Sequence, residues 1–161
     1  MTTTDTLQIT AVSGTQNIEI TREFAATPEQ LLRAHTDRDL YGRWVGPKGY
    51  EMIITEFEPR HGGKYAYIHR NPAGTEFSFR GVFHGDPSVE TGVTQTFEYL
   101  GVPDVGFGTV TFEDLGNGRT LLRERSVFPS VESRDGIIEA GMEHGVREGY
   151  DKLDELLAAG A

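Results

Sequence analysis

The stretch that decides the fold lies near the end of the chain: Gly141-Met-Glu-His-Gly-Val-Arg-Glu-Gly-Tyr-Asp-Lys-Leu-Asp-Glu-Leu-Leu157. Its apolar residues Met142, Val146, Tyr150, Leu153 and Leu157, with Ile138 ahead of them, are spaced by 4, 4, 4, 3 and 4. That spacing draws one apolar stripe along a helix. Read as one element from about Val131 to Ala159, the helix runs to roughly 43 Å at the usual rise per residue. A start near Asp135 shortens it, because Gly136 is a weak interior residue.

Working back from this helix, the period changes from about 3.6 to 2 between residues 50 and 128. Met52 and Ile54 open the series. Tyr65, Tyr67 and His69 alternate with Ala66, Ile68 and Arg70, and Phe77, Phe79, Gly81 and Phe83 with Ser78, Arg80 and Val82. Val93, Gln95, Phe97 and Tyr99 follow, then Val110 and Phe112, then a last strand from Leu122 to Phe128. Asn71-Pro72-Ala73-Gly74 and Leu115-Gly-Asn-Gly-Arg119 are hairpin turns. Six strands joined by short turns predict an antiparallel meander. Ahead of them, Ile18, Ile20, Arg22 and Phe24 predict another strand. Thr27-Pro28-Glu29-Gln30 predicts a capped helix start, and Asp37 a second cap leading to Leu40, Tyr41 and Trp44. Residues 1–16 read as an N-terminal extension in which Leu7, Ile9 and Ala11 offer an edge strand, and residues 17–159 as a single domain.

A sheet of about seven strands with one apolar face must bury it, and the terminal helix is the element long enough to cover it. A curved sheet around one helix encloses more volume than the helix fills, so the expectation is an α+β fold with a hollow between sheet and helix. The two short helices close one end.

Composition narrows the function. With 15 basic and 25 acidic residues the formal net charge is −10, and no basic face is visible for a nucleic acid. The absence of Cys removes disulfides and thiolate chemistry. The longest strictly aliphatic run, Leu156 to Ala159, is four residues, too short to cross a membrane. Met1-Thr-Thr-Thr-Asp5 lacks the pattern of a secretory signal, so the expected location is cytoplasmic.

The order of elements resembles the helix-grip fold of the START/SRPBCC superfamily, and within it the family called activator of heat-shock-protein-90 ATPase homologue 1-like. The resemblance rests on Ile20-Thr-Arg-Glu-Phe-Ala-Ala-Thr-Pro-Glu29, Ala34-His-Thr-Asp37, Trp44-Val-Gly-Pro47, Arg60-His-Gly-Gly63, Gly81-Val-Phe83 and the terminal segment from Gly141-Met142 to Leu157. It covers about residues 17 to 158. Many relatives carry Trp where this chain has Met142, and the smaller side chain implies more room under the helix. The superfamily includes ligand carriers, cyclases, hydrolases and co-chaperone domains, so fold alone does not set activity.

The site expectation follows from alternation and resemblance together. Trp44, Tyr65, Tyr67, His69, Phe77, Phe79, Phe97, Tyr99 and Met142 are the candidate contacts for a small hydrophobic molecule, whether aromatic, polyketide-like or lipid. The competing reading makes the same rows packed core. His69 is the candidate base if the protein is an enzyme working by proton transfer. A third reading is a stress-related co-chaperone that stimulates an ATPase. No catalytic constellation is defensible: there is no Gly-x-Ser-x-Gly, P-loop or dinucleotide fingerprint, and Gly106-Phe-Gly108 reads as a loop without phosphate-binding context. His144 and Glu148 share a helix face without a third ligand, so no metal and no cofactor are expected. If Glu124 points inward it requires His69 or an Arg as partner, because a lone buried carboxylate is costly. Gly141, Gly145 and Gly149 mark either a close approach of the sheet or space left for a ligand. A homodimer is left open.

Overall fold

The computed structural model describes residues 6–161; the opening five residues, with the signal-sequence reading above, lie outside them. Strands β1 (Gln8–Ala11) and β2 (Asn17–Phe24) lead into helices α1 (Pro28–Thr36) and α2 (Arg38–Trp44). Six strands follow: β3 (Glu51–Phe57), β4 (Lys64–Arg70), β5 (Glu76–Val82), β6 (Val93–Tyr99), β7 (Val105–Gly116) and β8 (Arg119–Val127). Helices α3 (Val131–Glu139) and α4 (Met142–Ala158) end the chain.

All eight strands form one antiparallel sheet in the order β1-β2-β8-β7-β6-β5-β4-β3. The expected meander is β3 to β8. β2 pairs along β8, with Ile20 opposite Glu124, and β1 adds an eighth strand where about seven were expected.

The helix starts form as their sequences dictate. The Thr27 hydroxyl accepts from the Gln30 backbone N–H, and the Gln30 side chain accepts in return from the Thr27 N–H at 2.8 Å, so two orphan donors are satisfied reciprocally. The Asp37 carboxylate accepts from the Leu40 N–H at 3.0 Å and starts α2. The Trp44 indole N–H then donates to the Ala34 carbonyl at 2.9 Å, which locks α2 against α1.

The terminal helix is two helices, which corrects the single element expected. Gly141 takes φ = 88°, the left-handed region where a side chain is strained, and the axis breaks there. The break also separates Ile138 from the buried stripe: it lies on α3 and is 37% exposed. α3 is held instead by Arg134, whose guanidinium donates to the carbonyls of Asn17 and Val12 and pairs with Asp135 at 2.7 Å. α4 keeps the apolar face, burying Tyr150, Leu153 and Leu157.

The glycines of this segment have separate causes. A Cβ on Gly149 would lie 3.1 Å from the Trp44 carbonyl oxygen, so α4 crosses the end of α2 at close range. Gly145 meets Pro47 at an ordinary 3.7 Å. The close approach is therefore to the α2–β3 connection rather than to the sheet.

The densest packing lies at one end of the concave face. Phe24, Leu31, Tyr65, Phe83, Val93, Leu122 and Leu153 are each no more than 1% exposed there. Burying each such large side chain contributes about 1.5–3 kcal/mol. Tyr150 joins α4 to this core, stacked on Trp44 at 5.8 Å and edge-on to Phe24 at 5.4 Å.

Candidate functional site

The register of the sheet builds three cross-strand rows on the concave face. Val110 on β7 lies between Val93 and Glu124. Gln95, Gly108, Ser126 and Ile18 form the next row across β6, β7, β8 and β2. Phe97 lies opposite Gly106 in the third. In the middle of an eight-stranded sheet covered by a helix, such residues are expected to be fully buried. Instead Gln95, Gly108, Val110, Glu124 and Ser126 are half-buried, and Phe97 is 36% exposed. The interior is thus solid at the Phe24–Tyr65 end and accessible to solvent at the other. This accessible end is where the hollow expected between sheet and helix would lie.

Of two glycines in β7, Gly108 contributes to this accessible end, whereas Gly106 is buried beneath the Phe128 ring, 3.2 Å from where its Cβ would lie. Gly106-Phe107-Gly108, read as a loop, lies within β7, and both glycines face the concave side. A Cβ on Gly108 would stand 3.3 Å from the Ser126 hydroxyl and 3.8 Å from a Glu124 carboxylate oxygen. Glycine inside a strand leaves backbone bare for a close approach.

One wall is aromatic. Tyr67 stacks on Phe79 at 5.2 Å, and Phe79 stacks on Phe97 at 5.5 Å and meets Tyr99 at 5.2 Å. Phe77 adds to Tyr99 at 6.4 Å. Phe77, Phe79 and Tyr99 are half-buried. Cross-strand pairing of β4, β5 and β6 sets this order, with Tyr67 opposite Phe79 and Phe79 opposite Tyr99.

The floor is polar. Glu124 accepts from the Ser126 hydroxyl at 3.2 Å and from the Tyr150 hydroxyl at 3.5 Å. Its expected partners, His69 or an Arg, are elsewhere. Burial raises the Glu124 carboxyl above its ordinary range, with the two hydroxyl donors partly opposing. Tyr41 hydrogen-bonds with Gln95 and Tyr67, and burial pushes the phenols of Tyr41, Tyr67 and Tyr150 upward, so they remain neutral donors. Arg22, 4% exposed on the same face of β2, pairs with Asp151 and Asp154 of α4 at 3.6 Å each and covers the Phe24 ring at 4.4 Å.

The candidate residues divide between these regions. Trp44, Tyr65, Tyr67 and His69 are buried core, whereas Phe77, Phe79, Phe97, Tyr99 and Met142 keep accessible surface. Tyr65 crosses Gly81 and donates its hydroxyl to the Thr96 carbonyl. His69 is enclosed by Gly46, whose Cβ would fall 2.4 Å from the ring, and by the Met52 sulfur at 3.1 Å. Burial, with Lys152 nearby, lowers its pKa to about 4, against an opposing hydrogen bond with the Val45 backbone. The ring is neutral near pH 7, a weak base turned toward protein. Glu124, Ser126, Gln95 and Tyr150 are the polar residues that sequence reasoning did not assemble.

His144 and Glu148 form a surface pair at 3.2 Å, and among the described residues no group of three His, Asp or Glu is placed to hold a metal. A shallow groove of about 580 Å³ lies at the edge of the sheet, between α2 and edge strand β3, lined by Asp37, Arg38, Gly42, Arg43, Met52 and Ile54. No helix among the described residues is long and apolar enough to cross a membrane.

Comparison with known proteins agrees with this architecture. A protein from Rhodobacter sphaeroides is 29% identical, with a TM-score of 0.85 over 95% of this chain and 99% of that one. A solution structure of a protein from Arthrobacter aurescens is 25% identical, with a TM-score of 0.86 over 96% and 92% of the two chains. A protein carrying the family's name from Silicibacter pomeroyi shares the fold at 18% identity, with a TM-score of 0.70 over 90% and 99%. No curated protein matches the chain. The family model described as activator of Hsp90 ATPase homolog 1-like protein matches residues 25–158. The chain therefore belongs to the activator of Hsp90 ATPase homolog 1-like family, with the helix-grip architecture of the START/SRPBCC superfamily.

Proposed function

We propose that the protein binds a small, flat, mainly apolar molecule on the concave face of its sheet, beneath α4. Its body lies against Phe77, Phe79, Phe97 and Tyr99, and its polar end reaches Gln95, Ser126 and Glu124. The observation that carries this reading is the half-burial of Gln95, Gly108, Val110, Glu124 and Ser126 at the centre of the sheet. A core built only for stability closes over such positions, since interiors pack to crystal-like density. Aromatic walls with a few convergent polar groups are the usual make-up of a small-molecule site.

The test is uptake of Nile red, a neutral apolar dye, by the native protein and by Val110→Phe, which places a ring over the half-buried rows. The expected result is dye fluorescence with the native protein and its loss in the variant, with far-ultraviolet circular dichroism unchanged in both. Equal uptake by the two proteins places the dye elsewhere and contradicts the reading.

A further inference from the structure

Glu124 is a costly residue to keep where it lies. It is a carboxylate on the concave face, flanked by Val110 and Ile20 in its own row. Its hydrogen-bonding partners are the neutral hydroxyls of Ser126 and Tyr150, at 3.2 and 3.5 Å. Among the described residues it makes no ion pair. Arg22, one strand away on the same face, is already engaged by Asp151 and Asp154. A half-buried carboxylate without a cation is destabilising for the fold, so its presence calls for a partner from outside.

The surroundings indicate the partner's charge. Tyr41, Tyr65, Tyr67 and Tyr150 crowd this region with neutral rings, and the Phe79–Phe97 stack continues the wall outward. Aromatic faces beside a carboxylate attract an organic cation twice, through ring quadrupole and through charge. The chain as a whole carries a formal charge of −10, which raises the local concentration of cations. At Gly108, where a Cβ would stand 3.8 Å from the Glu124 carboxylate, β7 puts no side chain between a flat group and that carboxylate.

We infer that the ligand class of this site is a flat aromatic or alicyclic molecule bearing a protonated amine, its ammonium seated on Glu124 and its body on the Phe79–Phe97 wall. The inference rests on the binding reading above and specifies its chemistry. A matched pair of probes tests it: 2-naphthylmethylamine, cationic at pH 7, and 2-naphthylmethanol, its neutral counterpart. Each is titrated by calorimetry into the native protein and into Glu124→Gln, which keeps the shape of the side chain and removes its charge. Tighter binding of the amine by the native protein is expected, with a loss of about 30-fold or more in the variant and little change for the alcohol, in line with the cost of removing one side of a buried charge pair. Equal binding of amine and alcohol, or a preference that survives in Glu124→Gln, overturns the inference while leaving the binding reading in place. Binding of neither probe overturns both.

Discussion

His35 makes a sharp prediction about acid stability. It is 7% exposed in α1, packed between Trp44 at 4.9 Å and Phe112 at 5.4 Å, with its Nδ1 2.7 Å from the Leu31 carbonyl. That contact makes Nδ1–H the donor. Burial lowers the pKa from 6.5 to about 4, although the Leu31 hydrogen bond opposes the shift. Because the folded value lies below the unfolded one, the stabilisation is complete above pH 6.5 and is lost as pH falls toward 4. At pH 5 the unfolded chain carries roughly 0.9 more proton at this site than the folded chain, and the loss accumulated from pH 7.5 comes to about 2 kcal/mol. Urea unfolding of native protein and His35→Gln at both pH values reads this as a difference of differences. The substitution lowers stability at both pH values, but the native protein should lose about 2 kcal/mol more between them. His69 and Glu124 titrate in both proteins and cancel. Parallel losses would refute the reasoning, because they would mean that His35 protonates as easily inside the fold as outside it.

Other outcomes follow from single positions. Gly141→Ala has open space for its Cβ but a φ of 88°, so it should cost about 1 kcal/mol from backbone strain alone, measured by urea unfolding. No loss would show that the α3–α4 break relaxes freely. Glu124→Gln should stabilise the protein at pH 8. The folded carboxyl titrates above the unfolded one, so stability falls as pH rises from the unfolded value through the folded one, and the variant removes that fall. A variant that melts no higher than native at pH 8 contradicts the placement of Glu124.

The fold was legible where local chemistry and global packing agree. Thr27 with Gln30 specifies a helix start, and Asn117-Gly118, at φ 55° and 71°, specifies a hairpin that little else fits. The alternation of Tyr65, Tyr67 and His69 correctly placed them on the face that meets Phe79. Whether those rings belong to core or cleft was not legible, because it depends on where α4 crosses, and that depends on Gly141 and Gly149. A glycine at four-residue spacing reads alike in a continuous helix and at a left-handed break. Gly106 and Gly108 suffer the same ambiguity in a strand, where glycine resembles a loop. Glu124 shares its face with Leu122 and Ser126 by simple alternation, opposite Arg123 and Arg125. The cost of an inward carboxylate argues against that placement from sequence alone, and the same cost is the ground on which Glu124 is proposed as a ligand contact.

The most direct test of the central claim is a titration of 15N-labelled protein with 2-naphthylmethanol, followed by two-dimensional NMR. Glycine amides resolve well, and the account predicts that Gly108 and Ser126 shift together, along with Gln95 and Phe97. Shifts confined to Asp37, Gly42 and Ile54, in the groove between α2 and edge strand β3, would place the ligand away from Glu124 and the Phe79–Phe97 wall and contradict it.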